Sequence, residues 1–249
     1  MYFVAIAVML AGSDPSSASV PAATPAAAAS SAPAAPGAPA GVLREIVYKV
    51  AQTTSSNGTG SDYSGTSTAS QSGWDKGTLT IDVLQILAGD IINVRASEAW
   101  NDLGGKPYSA TGYVAADGTL SIVSGTYSAV METVLPYLAT GFIGSHDTTL
   151  GTSWDLTADA DKVHYQHHYA ITKIDGSNVT VTVNGTMSGF GMGMFPTTEQ
   201  DTVVYRPARI VPISGDFTTR TRSSNGNVDT TVTHNLHFER VSDSKDPNP

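Results

Sequence analysis

The feature that most limits what this 249-residue chain can become is its turn punctuation. Ala88-Gly89, Asp117-Gly118, Asp175-Gly176 and Ser224-Asn225-Gly226-Asn227 each sit between two stretches of alternating apolar and polar residues. Gly, Asn and Asp tolerate the positive φ that tight hairpins require, so these four sites predict hairpins. The paired segments are 76–87 with 90–100, 108–115 with 119–124, 162–174 with 178–183, and 208–222 with 228–241. Leu79, Ile81 and Val83 share one face, as do Ile92, Val94 and Ala96, then Val179, Val181 and Val183, then Val228, Val232, Leu236 and Phe238. The opposite faces carry mainly Thr, Ser, Asp and Asn. One apolar face and one wet face predict an antiparallel sheet covered on one side only. Residues 42–52 read as a first strand. Residues 53–73 hold no large apolar anchor except Tyr63 and read as a mobile loop.

A single stretch breaks the alternation. In residues 127–143, Tyr127, Val130, Met131, Val134, Leu135, Leu138 and Phe142 recur at helical spacing and form one wide stripe. Burying each such side chain is worth about 1.5–3 kcal/mol, and a helix this short is marginal in water without that gain. Its stripe therefore belongs on the apolar side of the sheet. Pro136 removes a helical hydrogen bond and crowds the preceding turn, which predicts a kink or two short helices meeting there. Gly141 is a suitable stop. The fold expected is mainly β: a large curved antiparallel sheet or incomplete barrel of about nine strands, with one kinked helix (about 127–142) over its apolar face. No internal repeat and no βαβ rhythm is present.

The ends differ from this body. Residues 2–11 form an apolar run too short for the about 20 residues that span a bilayer and suited to the hydrophobic part of a signal peptide. Residues 1–12 are therefore read as signal-peptide-like, although a basic leader is missing. Leu10-Ala11-Gly12-Ser13 resembles a bacterial lipoprotein cleavage box with Ser13 in the place of the lipidated Cys, which implies export without the anchor. Residues 13–41 are Ala, Ser and Pro almost throughout and read as a disordered tether, because scattered prolines support neither helix nor ladder. Residues 42–241 are expected to form a single β-rich domain and 242–249 a disordered tail. The mature chain is expected to hold no transmembrane span.

Composition removes several function classes. There are no cysteines, so disulfides, thiol catalysis and thiolate metal sites are excluded. Charged residues make up 14% of the chain, the formal net charge is −9, and no Lys/Arg cluster exists to meet a phosphate backbone, so nucleic-acid binding is excluded. Low charge with abundant Thr, Ser and Gly suits a secreted or cell-envelope protein, periplasmic or extracellular.

A helix followed by Gly151-Thr152-Ser153-Trp154 opening a strand, and then by long meandering hairpins, resembles the half-barrel of bacterial lipoprotein-carrier (LolA/LppX-like) proteins and related exported domains of unknown function. The resemblance covers roughly residues 42–241 as an arrangement and carries over no functional residue. It implies an acyl chain or other apolar ligand held between sheet and helix.

Residues with chemical potential are few. In HYQHHY, His164 and His168 share one strand face and His167 lies on the other with Tyr165 and Tyr169. His164 and His168 make a zinc pattern only if a third ligand joins from His146-Asp147 or from His234 and His237. That would be the basis of a metal-dependent hydrolase; otherwise the outer two face water and His167 is held under the tyrosines. No G-x-S-x-G turn is present, and Glu98, Glu132, Glu199 and Glu239 are too scattered to nominate a catalytic pair. Met187 to Pro196 (MSGFGMGMFP) sets three methionines and two phenylalanines among glycines. It fits a plug for the end of the sheet, an adaptable apolar lid, or a Cu(I) site on Met192 and Met194. The reading reached is a non-catalytic exported binding domain with no cofactor and no metal. Its apolar or lipid-like ligand is assigned to Val134, Leu138, Phe142, Phe190, Met192, Met194 and Phe195. The alternative is a structural or surface-display protein that meets partner proteins, whose identity the sequence leaves unknown.

Overall fold

The computed structural model describes residues 41–62, 65–101, 107–139, 146–160, 163–189, 196–206, 211–225 and 227–246. Residues 1–40, and with them the signal-like segment and nearly all of the tether, lie outside that description. Among the described residues, eleven strands form one antiparallel sheet that does not close. They are β1 (Arg44–Asp62), β2 (Gly65–Ile86), β3 (Ile92–Trp100), β4 (Ser109–Val114), β5 (Leu120–Thr126), β6 (Ser153–Ala160), β7 (Val163–Asp175), β8 (Asn178–Gly189), β9 (Thr197–Arg206), β10 (Val211–Asn225) and β11 (Val228–Asp243). Strands β1 to β5 form one meander and β6 to β11 another, joined where β1 pairs with β11. The free edges are β5 and β6, and the segment linking them carries the helix.

The turn signals land where the sequence places them. Gly89, Gly118 and Gly176 take φ of 76°, 89° and 58° between β2 and β3, β4 and β5, and β7 and β8. Asn184-Gly185, a dipeptide whose residue types also suit a turn, forms none: it lies inside β8 and pairs with His168 and His167. The count of about nine strands is exceeded because β6 and β9 have no tight-turn dipeptide on both sides. Residues 53–73 are also corrected. Residues 53–62 and 65–73 are strand and not loop: β1 and β2 pair in register from Arg44–Val83 to Asp62–Gly65, and β11 pairs β1 as far as Gly60, while Tyr63 and Ser64 lie outside the described residues. Ser and Thr have no core to fill there, yet their backbones complete the ladder, and Thr favours extended backbone.

The helical segment is α1 (Ala129–Val134) followed directly by a 3-10 turn, η1 (Leu135–Leu138). Pro136 stands in the first turn of η1, where its missing N–H costs nothing. Ser128 caps α1: its Oγ accepts from the Met131 N–H at 3.1 Å and donates to the carboxylate of Glu98, which also accepts from Trp100 Nε1 at 2.7 Å. Val130, Met131, Val134, Leu135, Tyr137 and Leu138 are buried against the inner face of the sheet. Tyr137 stands 5.4 Å from Phe217 and 6.3 Å from Tyr205, ring centre to ring centre. On the other side η1 meets β4, and Tyr127, just before the helix, lies over Gly112, where an added Cβ would overlap its hydroxyl. The segment thus spans both meanders. Phe142 and Gly141 lie outside the described residues.

The expected tail from 242 also needs correction as far as Asp246. The strand continues to Asp243, whose carboxylate takes two bonds from Arg44, 2.9 and 2.6 Å, and one from Arg240 at 3.2 Å. Asp246 meets Arg206 at 2.6 Å and Arg240 at 3.3 Å. Arg240 is 4% exposed, so these carboxylates keep a buried cation paired.

Candidate functional site

The sequence of β9 places Glu199, Asp201, Val203 and Tyr205 on one face, and that face is the inner one. Charged residues continuing an apolar row cost stability unless partners meet them. The partners come from three directions. His167 on β7 is in register with Gly185 on β8, which is in register with Glu199. With no side chain at Gly185, the imidazole crosses the middle strand and its Nε2 lies 3.0 Å from Glu199 Oε2. A Cβ at Gly185 would overlap His167 Cδ2 and come within 3.2 Å of Glu199 Cβ, so this Asn-Gly makes room for the His167–Glu199 hydrogen bond. From the helix side, Tyr137 hydrogen-bonds Asp201. From β10, the Thr218 N–H points at Asp201 Oδ1 from 3.4 Å.

Asp201 is 4% exposed and its Oδ2 meets no donor. Its carboxyl contacts that of Glu199. Two carboxylates form a hydrogen bond only when one carries a proton. Burial and then the Glu199 charge push Asp201 up to about 10, so Asp201 is the protonated member. Burial would raise Glu199 as well, but the bonds from His167 and Asp201 outweigh it and hold Glu199 below its ordinary value. Tyr169 and Tyr137 are raised by burial, with the nearby carboxylates adding to the shift, so both stay neutral donors. The cluster is one anion, one neutral acid, an imidazole and two phenols on the inner face beside η1. An aromatic stack continues from it: Tyr169 lies 5.3 Å from Trp154, and Trp154 4.1 Å from His146.

The other expected site residues divide clearly. Val134 and Leu138 are buried where η1 meets the sheet. Phe142, Phe190, Met192, Met194 and Phe195 lie outside the described residues; Met187, at the start of that segment, is buried near the end of β8. On β7, Tyr165 and Tyr169 are buried and His168 is exposed, with Nδ1 2.7 Å from Asp155 Oδ1. His237 makes a similar exposed pair with Asp216 at 2.7 Å. Among the described residues no group of three His, Asp or Glu side chains could hold a metal ion. The pair Glu199 and Asp201 is what the sequence reading passes over, although two acids alternating into Val203 and Tyr205 are a readable sign of buried charge. No helix among the described residues is long and apolar enough to cross a membrane.

No protein-family model matches the chain, and no curated protein matches it in sequence. Among solved structures it is similar to the crystal structure of Rv2717c from M. tuberculosis, at 9% identity and a TM-score of 0.28, over 76% of this chain and 91% of that one. A likeness this low carries no argument about function, and none of these comparisons supports the lipoprotein-carrier resemblance.

Proposed function

We propose that this is a non-catalytic binding domain, exported to the envelope or the extracellular space, that takes an apolar or lipid-like small molecule on its inner face. The observation that carries the reading is the inward pair of half-buried Glu199 and buried Asp201 under His167, Tyr137 and Tyr169. A core gains nothing from two inward carboxyls, and such costly groups concentrate where a protein binds or reacts. Glu199 would accept from the hydroxyls or amine of a ligand's head, while its charge disfavours an anionic head. Val134 and Leu138 would supply the apolar side, with Phe142, Phe190, Met192, Met194 and Phe195 completing it.

The test is titration of the full chain with a neutral fluorescent monoacylglycerol analogue. Saturable binding is expected, weakened about tenfold by Glu199→Gln and by Asp201→Val, as for central polar anchors. Equal affinity in wild type and both variants would contradict the site. A second reading, a structural or surface-display protein, is favoured by one observation. Edge strand β5 carries no charge and exposes Ile122 by 56% and Val123 by 62%, which leaves it open to a partner strand.

A further inference from the structure

The outer face carries its own ordered row. Trp74, Thr53, Asn235, Thr218, Gln200 and Asn184 are consecutive register partners on β2, β1, β11, β10, β9 and β8. Five strand spacings make the row about 24 Å long. Every side chain between Trp74 and Asn184 is a hydroxyl or a carboxamide, and none is charged. Asn235 Nδ2 donates to Thr53 Oγ1 at 3.1 Å, and Thr218 Oγ1 donates to Asn235 Oδ1 at 2.9 Å, so the middle of the row is held in one arrangement.

Polar rows on the wet side of a sheet are ordinary; along this one lie two shallow depressions. A hollow of about 270 Å³ lies among Asn184, Gln200, Thr218 and Arg220, with Gly185 and Glu199 also at its wall. A second, of about 240 Å³, lies among Thr53, Thr218, Asn235 and His237. They meet at Thr218. The row ends on Trp74, which is 66% exposed, with Lys76 Nζ 6.0 Å from the ring centre. We propose that this row is a binding site for a neutral polysaccharide chain lying across the strands. Carboxamides and hydroxyls each offer both a donor and an acceptor, which matches the paired hydroxyls of a sugar. Trp74 offers an apolar plate for the C–H face of a sugar ring, with its polar edge still wet. The row itself holds no charged side chain; the charges beside it, Arg220 at one hollow and Asp216 with His237 at the other, are of mixed sign. The side chains of the row point away from the inner face, although Gly185 and Glu199 border the first hollow as well as the inner cluster.

The test is affinity electrophoresis of the full chain through native gels containing soluble neutral glucan, mannan or galactan. Retardation is expected in at least one gel. It should weaken about tenfold for Trp74→Ala, as for an exposed aromatic anchor, recover in part for Trp74→Phe, and weaken for Asn235→Ala. Melting temperatures of all three should match wild type, since the side chains are on the surface. No retardation by any neutral polysaccharide would overturn the proposal. So would equal retardation of Trp74→Ala, or retardation only by an anionic polysaccharide that high salt abolishes.

Discussion

At Gly185 one missing side chain decides what the inner face can hold. Gly185→Ala should destabilise by about 1–3 kcal/mol, the usual cost of overpacking, because the methyl and the His167 ring compete for one place. Urea denaturation reads this, and adding His167→Ala should recover much of the loss; a silent Gly185→Ala would mean the imidazole can leave freely. Asp201 gives a pH signature. Its folded value is raised, so the folded state keeps a proton that the unfolded chain releases from pH about 4 upward. Stability should therefore fall as pH rises from about 4 toward about 10, where Asp201 ionises in the folded protein. Glu199 is depressed, so its contribution is present above its ordinary 4.5 and is lost as pH falls below that. Asp201→Asn should flatten the alkaline limb and leave the acid limb in place. Parallel urea midpoints for wild type and Asp201→Asn from pH 5 to 9 would show that Asp201 is ionised throughout. The residues themselves were visible in the sequence; their proximity was not, since His167 and Glu199 meet only through a three-strand register.

The short helical segment binds two meanders that share one strand pair. Ser128→Ala should cost about 1 kcal/mol or more, because it removes the N-cap and leaves the buried Glu98 with one donor fewer. Val134→Asp should cost several kcal/mol, as an unpaired buried carboxylate does. Thermal melts of the two variants order these effects; a Val134→Asp protein as stable as wild type would place the stripe outside the core. The helix and its break at Pro136 were legible because a 3.6-residue stripe inside period-two sequence has one interpretation. The ribbon of residues 53–62 and 65–73 was not: Ser and Thr carry no apolar period, and its pairing is set by backbone hydrogen bonds that leave no composition signal. Strand β9 was missed for a related reason, since it alternates but lacks a turn dipeptide to announce it.

Across the whole molecule, the end of β11 ties back to β1 and β9 through Arg44, Arg240, Arg206, Asp243 and Asp246. Burial alone would raise the Asp243 carboxyl, but Arg44 and Arg240 hold it below the ordinary range. Removing one partner strands a buried charge, so Asp243→Ala should cost about 3–5 kcal/mol in urea unfolding. A loss under about 1 kcal/mol, the scale of an exposed pair, would make this network peripheral. With the sheet held at that end and the helix laid across its inner face, the inward acid pair is the part of the molecule that packing alone does not require. Native mass spectrometry of the protein purified from its own host tests that most directly. One apolar small molecule bound per chain is expected, retained by wild type and lost from the folded Asp201→Val variant. A wild-type protein carrying no adduct, with no lipid-like compound in its organic extract, would contradict it.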